Sequence, residues 1–95
     1  MNFTISNEAA IWYKEEFNLQ NGDSLRFFVR YGGCGTVQKG FSLGVVKEEP
    51  VDVGTMTTKN GITFFIEEKD LWYFDGKDLS IELDPQLKEP SFHIF

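Results

Sequence analysis

This chain carries one thiol and one imidazole. Cys34 sits in "YGGCGTVQKG", residues 31–40, with Gly32, Gly33 and Gly35 packed around it. Glycines let successive backbone N–H groups converge on one spot, and such a nest favours an anion. A thiolate held there would be stabilised and its pKa lowered. Equally, the glycines could simply build a wide hairpin turn around an ordinary, partly buried thiol, and the residues themselves leave both readings open. The arithmetic of ligands is stricter. A cluster takes four thiolate-type ligands, some replaceable by imidazole, and structural zinc also takes four. With one cysteine and one histidine, a single chain cannot hold either. Two Cys34 loops facing each other in a dimer would supply two thiolates, with His93, carboxylates or a small thiol completing the set. Gln38, four residues past the cysteine, is a further accessory candidate. A Cys34–His93 dyad for nucleophilic catalysis lacks an orienting third residue. With no constellation of acid, base and nucleophile, the protein is not expected to be an enzyme.

The other candidates have ordinary explanations beside the functional ones. Arg26 and Arg30 fall on one strand face, where such residues pair across strands with acids more often than they bind a phosphate. "FIEEKDLWYF" carries Leu71, Trp72, Tyr73 and Phe74 in succession. A short helix cannot bury all four, so either one forms an exposed interaction patch or the segment packs on two sides. "KEEPVD" reads as a solvated acidic loop.

These residues must be positioned by a small fold. Ninety-five residues with 41% hydrophobic content and ten phenylalanines suffice for one domain, 1–95, with its own core. The net charge of −6 argues against nucleic-acid binding and against an anionic membrane surface. No stretch resembles a signal peptide or a membrane span, so a reduced, cytoplasmic setting is expected.

Hydrophobic spacing supplies the elements. Ser6 can cap a helix over about residues 6–17, with Ala9, Trp12, Tyr13 and Phe17 recurring at helical spacing; Trp12 and Phe17 are expected to pack it on a sheet. "SLRFFVRY" alternates with Leu25, Phe27, Val29 and Tyr31 on one side. "VQKGFSLGVV" is a second strand, with Val37, Phe41, Leu43 and Val45 on one face, so that the cysteine loop caps a two-stranded hairpin. Gly33 or Gly35 is expected at positive φ, because the chain must reverse there. Asn60-Gly61 between β-prone runs is a strong hairpin signal. "EEKDLWYFDGK" is a short helical turn, "DLSIELD" another strand, and "SFHIF" a last one with His93 facing outward. Six or seven short strands and two helices make an α+β to mainly β fold.

The ordered combination of these pieces resembles the HesB/IscA family, the A-type carriers of iron–sulfur cluster biogenesis. Gly32-Gly33-Cys34-Gly35, followed by Gln38 and Phe41, is similar to the glycine-rich run around that family's first cysteine, and "FIEEKDLWYFDGKDLSIEL" is similar to its later strand–turn–strand. The resemblance implies a compact, distorted β-sandwich with an N-terminal helix. It implies weak binding of iron or an iron–sulfur cluster through Cys34, with His93 or Gln38 as accessory groups. It further implies partners among assembly or recipient proteins, and a homo-oligomer. The family's C-terminal C-G-C does not occur in this sequence, which ends at Phe95, so the chain resembles a truncated, single-cysteine (YneR-like) branch. The alternative is a protein-interaction module that keeps the fold without the metal site.

Overall fold

In the computed structural model, residues 1–32 and 40–95 are described. The expected helix forms as α1, Asn7–Glu16. Ser6 caps it, its hydroxyl accepting from the Ala9 N–H at 3.1 Å, and Glu8 lies in the first turn where the helix dipole favours an acid. Seven strands accompany it among the described residues: β1 (Phe3–Ile5), β2 (Ser24–Tyr31), β3 (Phe41–Lys47), β4 (Val53–Lys59), β5 (Ile62–Glu67), β6 (Leu79–Leu83) and β7 (Pro90–Ile94). A 3-10 helix, Glu68–Phe74, links β5 to β6 and ends at Asp75 in the left-handed conformation.

The strands make two mixed sheets, ordered β3-β2-β5-β4 and β1-β6-β7. Local signals account for the antiparallel pairs. β2 and β3 pair as expected, from Leu25 opposite Lys47 to Tyr31 opposite Phe41. The β4–β5 hairpin turns through Asn60 and Gly61, both at positive φ (55° and 77°), as this type of tight turn requires. The parallel pairs, β2 with β5 and β1 with β6, join segments far apart in the chain. The core lies between the sheets and α1. Leu25, Phe27, Ile62, Phe64 and Ile66 enter it from the larger sheet, Phe3, Ile5, Leu79 and Ile81 from the smaller. Phe27 is its hub, with edge-on contacts to Phe3, Tyr13 and Phe92 at ring-centroid distances of 5.7, 5.4 and 6.0 Å. The architecture is the mainly β sandwich with an N-terminal helix that the residues and the resemblance imply.

One expectation needs correction. The anchor of α1 is Tyr13, buried along with Ala9 and Ala10, whereas Trp12 and Phe17 are only partly buried against the core. The helix sits with its Ala9–Tyr13 stripe facing inward, which rotates Trp12 to the rim. Burial also holds the Tyr13 phenol above its ordinary pKa.

"KEEPVD" is exposed throughout, as expected of a solvated loop, and it is also tied to the sheet. Since β3 and β4 lie at opposite edges of the sheet, residues 48–52 must cross its outer face, and they are tied down as a strap. The Glu48 carboxylate meets the Arg26 guanidinium at 2.9 Å. The buried Glu67 accepts the Val51 and Asp52 N–H groups at 3.0 and 2.7 Å. β5 is buried on both faces: Ile62, Phe64 and Ile66 face the core, while on the other face Phe65 is buried and Glu67 holds the crossing segment.

Candidate functional site at the Cys34 end of the larger sheet

Strand directions bring three things to one end of the four-stranded sheet. β2 ends there at Tyr31 and β3 begins there at Phe41. Because β5 runs parallel to β2, its exit into the 3-10 helix lies at the same end. The helix then rounds the sheet. Asp70 reaches back to Arg26 on the outer face (3.0 Å), while Tyr73 and Phe74 turn into the core. Gly54 lets the helix approach β4, since a Cβ there would meet the Leu71 side chain at 2.8 Å.

Cys34, Gly33, Gly35 and Gln38, together with Val37 and Lys39, lie outside the described residues, as does the expectation that Gly33 or Gly35 takes positive φ. What is described is how the chain enters and leaves this segment. Gly32 and Gly40 both take positive φ, 98° and 85°, conformations that glycine adopts without the penalty a Cβ brings. The Gly32 N–H donates to the Gly40 carbonyl at 2.6 Å, and the Ser42 hydroxyl donates to the Gly32 carbonyl at 3.0 Å. The hairpin ladder is therefore closed immediately below the cysteine segment.

Beside this closure stands an array of three rings. Tyr31 meets Phe41 edge-on at 5.6 Å, and Phe41 meets Trp72 edge-on at 5.2 Å. Tyr31 is 87% exposed and Trp72 51%. Of the four consecutive residues in "LWYF", Tyr73 and Phe74 are buried, Leu71 is partly buried and Trp72 is the one turned outward. Both sequence expectations for this segment thus hold in part. Sequence reasoning missed the array itself. Tyr31 and Phe41 bracket the loop symmetrically in the sequence, but only the tertiary fold brings Trp72, some thirty residues further on, against them.

His93 lies elsewhere. It faces outward on β7, 54% exposed at the side chain, with Nε2 at 3.6 Å from Glu82 and 3.2 Å from the Ser91 hydroxyl. These contacts are within its own sheet, and among the described residues it makes none with the loop's ends. Arg26 is paired, but with the strap and the 3-10 helix rather than across the strands. A cleft of about 210 Å³ beside it is lined by Arg26, Glu48, Val51, Asp52, Glu67 and Lys69; the Arg26, Glu48 and Glu67 side chains are engaged in the ties already described. Arg30 is exposed. Among the described residues no group of three or more histidines, cysteines or acids could hold a metal ion, and no helix is long and apolar enough to cross a membrane. A cluster requiring four ligands does not fit the donors of one chain.

The profile of the iron–sulphur cluster biosynthesis family matches residues 1–93. This chain belongs to that family. The family's folds agree: it superposes on IscA, crystallised with a [2Fe-2S] cluster, with a TM-score of 0.56 at 19% identity, covering 98% of this chain and 80% of that one. It superposes on SufA of Escherichia coli with a TM-score of 0.59 at 22% identity, covering 99% and 86%. At these identities the likeness is one of fold. In sequence it is 58% identical over 92 residues, 97% of both chains, to a Bacillus subtilis protein named pyruvate dehydrogenase inhibitor. It is 42% identical over 95 residues, again 97% of both, to an uncharacterized protein of Staphylococcus saprophyticus. The family member described here thus pairs an iron–sulfur fold with near kinship to a protein named for inhibiting an enzyme.

Proposed function

We propose that this family member acts by binding another protein at the Cys34 end of its larger sheet, and that the enzyme it binds and inhibits is pyruvate dehydrogenase. The observation that carries this reading is the 58% identity, across 97% of both chains, with the B. subtilis inhibitor. Inhibition asks for a binding surface rather than for catalytic groups. The exposed Tyr31 and Trp72, braced by Phe41, are the kind of rigid aromatic anchors that concentrate binding energy. Titrating the purified protein into a pyruvate dehydrogenase assay should lower the rate to a saturating floor. Trp72→Ala should raise the concentration needed for half-inhibition by about tenfold or more, the equivalent of roughly 1.4 kcal/mol. Full activity in a large excess of wild-type protein would overturn the reading. Undiminished inhibition by Trp72→Ala, with the fold intact, would move the contact away from the aromatic array.

Family membership favours a second reading, in which iron or an iron–sulfur cluster is cargo held weakly through Cys34. The remaining ligands would come from a second chain or from an external thiol, and the partners would be assembly or recipient proteins. Under either reading the protein works in the cytoplasm, without a nucleic-acid or membrane partner. Anaerobic reconstitution with iron, sulfide and glutathione should produce thiolate-to-iron absorbance in the wild type that Cys34→Ser loses at unchanged stability. Equal iron uptake by Cys34→Ser would mean adventitious binding by surface carboxylates and would remove this reading.

A further inference from the structure

The chain contains two Asn-Gly pairs, Asn21-Gly22 and Asn60-Gly61, and all four residues are exposed. The second pair turns the β4–β5 hairpin. The first lies in a turn closed by the Asp23 N–H, which donates to the Gln20 carbonyl at 2.9 Å. Asparagine before glycine is prone to a reaction of its own. The glycine nitrogen, with no Cβ beside it to obstruct the approach, attacks the asparagine side-chain carbonyl carbon. As dipeptides the two pairs are equivalent. The fold sets them side by side, bridges them with one ammonium, and treats their nitrogens differently. Lys14 Nζ donates to Asn21 Oδ1 at 2.8 Å and to the Asn60 main-chain carbonyl at 3.1 Å. The Gly22 N–H donates to the Gly61 carbonyl at 2.8 Å. The Gly61 N–H donates to no acceptor among the described residues.

We propose that Asn60 is a site of spontaneous deamidation in the folded protein, and that the fold protects Asn21 from the same reaction. The Gly61 nitrogen gives up its proton and bonds to Asn60 Cγ. The Cγ–Nδ2 bond breaks, and ammonia leaves with that proton. Water then opens the cyclic imide at one carbonyl or the other, giving aspartate or isoaspartate. Loss of the peptide proton puts negative charge on the oxygen of the same peptide unit, the Asn60 carbonyl, which the Lys14 ammonium already meets. A cation held where charge develops lowers the barrier. Lys14 also polarises the Asn21 side-chain carbonyl, but the Gly22 nitrogen cannot attack it until its bond to the Gly61 carbonyl opens. Asn60 has a left-handed φ of 55° and must rotate before the Gly61 nitrogen reaches Cγ. At an exposed hairpin tip that rotation disturbs little packing, so it belongs to the low-cost local openings of the fold.

Conversion changes what the hairpin tip holds. Asn60 Nδ2 donates to Asn7 Oδ1 at 2.6 Å, and that bond departs with the amide nitrogen. Isoaspartate also lengthens the main chain by its Cβ, inside a tight turn that fixes Lys59 opposite Ile62. The modified chain therefore loses a tie between the hairpin and the start of α1. The site lies where β5 begins, at the end of the larger sheet away from the Cys34 segment, so the inference rests on neither proposed function.

The test ages the folded wild-type protein in neutral buffer at body temperature and locates the amide-to-acid mass gain by fragmenting the intact chain in the mass spectrometer. Asn60 should convert about tenfold faster than Asn21 or more, the ratio that a tie costing about 1.4 kcal/mol to open confers. In concentrated guanidinium chloride the two sites should convert at similar rates, because the tie and the ammonium are then gone. Lys14→Gln should slow Asn60 several-fold in the folded state, with its denaturant midpoint measured alongside to show that the variant folds. Conversion of Asn21 as fast as Asn60 in the folded protein would overturn the proposal. A preference for Asn60 that persists unchanged in denaturant would overturn it too, because the difference would then lie in the flanking sequence. A folded Lys14→Gln variant that converts at the wild-type rate would remove Lys14 from the reaction.

Discussion

Tyr13→Ala should lower the unfolding free energy by about 3–5 kcal/mol, the range for removing a large buried aromatic. Tyr13 joins α1 to the larger sheet. Its ring stands edge-on to Phe27 at 5.4 Å and lies 6.1 Å from Phe64, both on the larger sheet, while its own helix carries the flanking rings of Trp12 and Phe17. Deleting it would leave a void that Phe27 and Phe64, anchored on two strands, cannot close from across the helix–sheet boundary, so the cavity cost adds to the lost burial. Trp12→Ala, at the partly buried rim, should cost less than Tyr13→Ala. Denaturant unfolding of both variants would check the order. Equal midpoints for Tyr13→Ala and the wild type would mean that α1 is not held by this side chain.

Arg26→Ala should cost about 3 kcal/mol, in the range for removing one partner of a largely buried ion pair. The Arg26 and Asp70 side chains are only 15% and 11% exposed, and their atoms meet at 3.0 Å. Removing the guanidinium would strand the Asp70 carboxylate in a poorly solvated position and release Glu48 as well. Glu48, 45% exposed at its side chain, contributes much less, because water screens its charge. The Arg26 Nε–H has no partner among the described residues, so the network is already imperfectly satisfied. The loss therefore reflects mainly the stranded acid. A double mutant cycle separates these effects: Arg26→Ala combined with Asp70→Ala should be less destabilised than the sum of the single variants. Strict additivity, or a cost for Arg26→Ala below about 0.5 kcal/mol, the level of an ordinary surface substitution, would mean that the pair is effectively solvated. The same substitution should loosen the 3-10 helix, and with it the seating of Trp72 against Phe41. A change in tryptophan emission well below the unfolding transition would report it.

Several parts of this molecule were determined by the sequence alone, and they are those whose physics is local. Ser6 caps its helix through an N–H three residues away. Asn60-Gly61 turns a hairpin because both residues tolerate positive φ. The alternation of "SLRFFVRY" and "DLSIELD" assigns each strand its buried side, and the ordered run from Gly32 to Leu83 carries the family. The glycine-flanked base of the Cys34 segment was legible for the same reason, since Tyr31 and Phe41 need only pair across their own hairpin. The tertiary structure decided the rest. Whether Trp12 or Tyr13 is the anchor depends on a rotation of α1 that the smaller sheet imposes, and both residues fit the helical stripe. That the exposed "KEEPVD" is also tied down follows only from β3 and β4 lying at opposite edges of one sheet, which takes the connection over Arg26 and Glu67. Trp72 joins Tyr31 and Phe41 because β5 pairs parallel to β2 and delivers the 3-10 helix to that end. Parallel pairing brings together strands separated by an intervening connection, and no local pattern of residue types specifies which strand will be the neighbour.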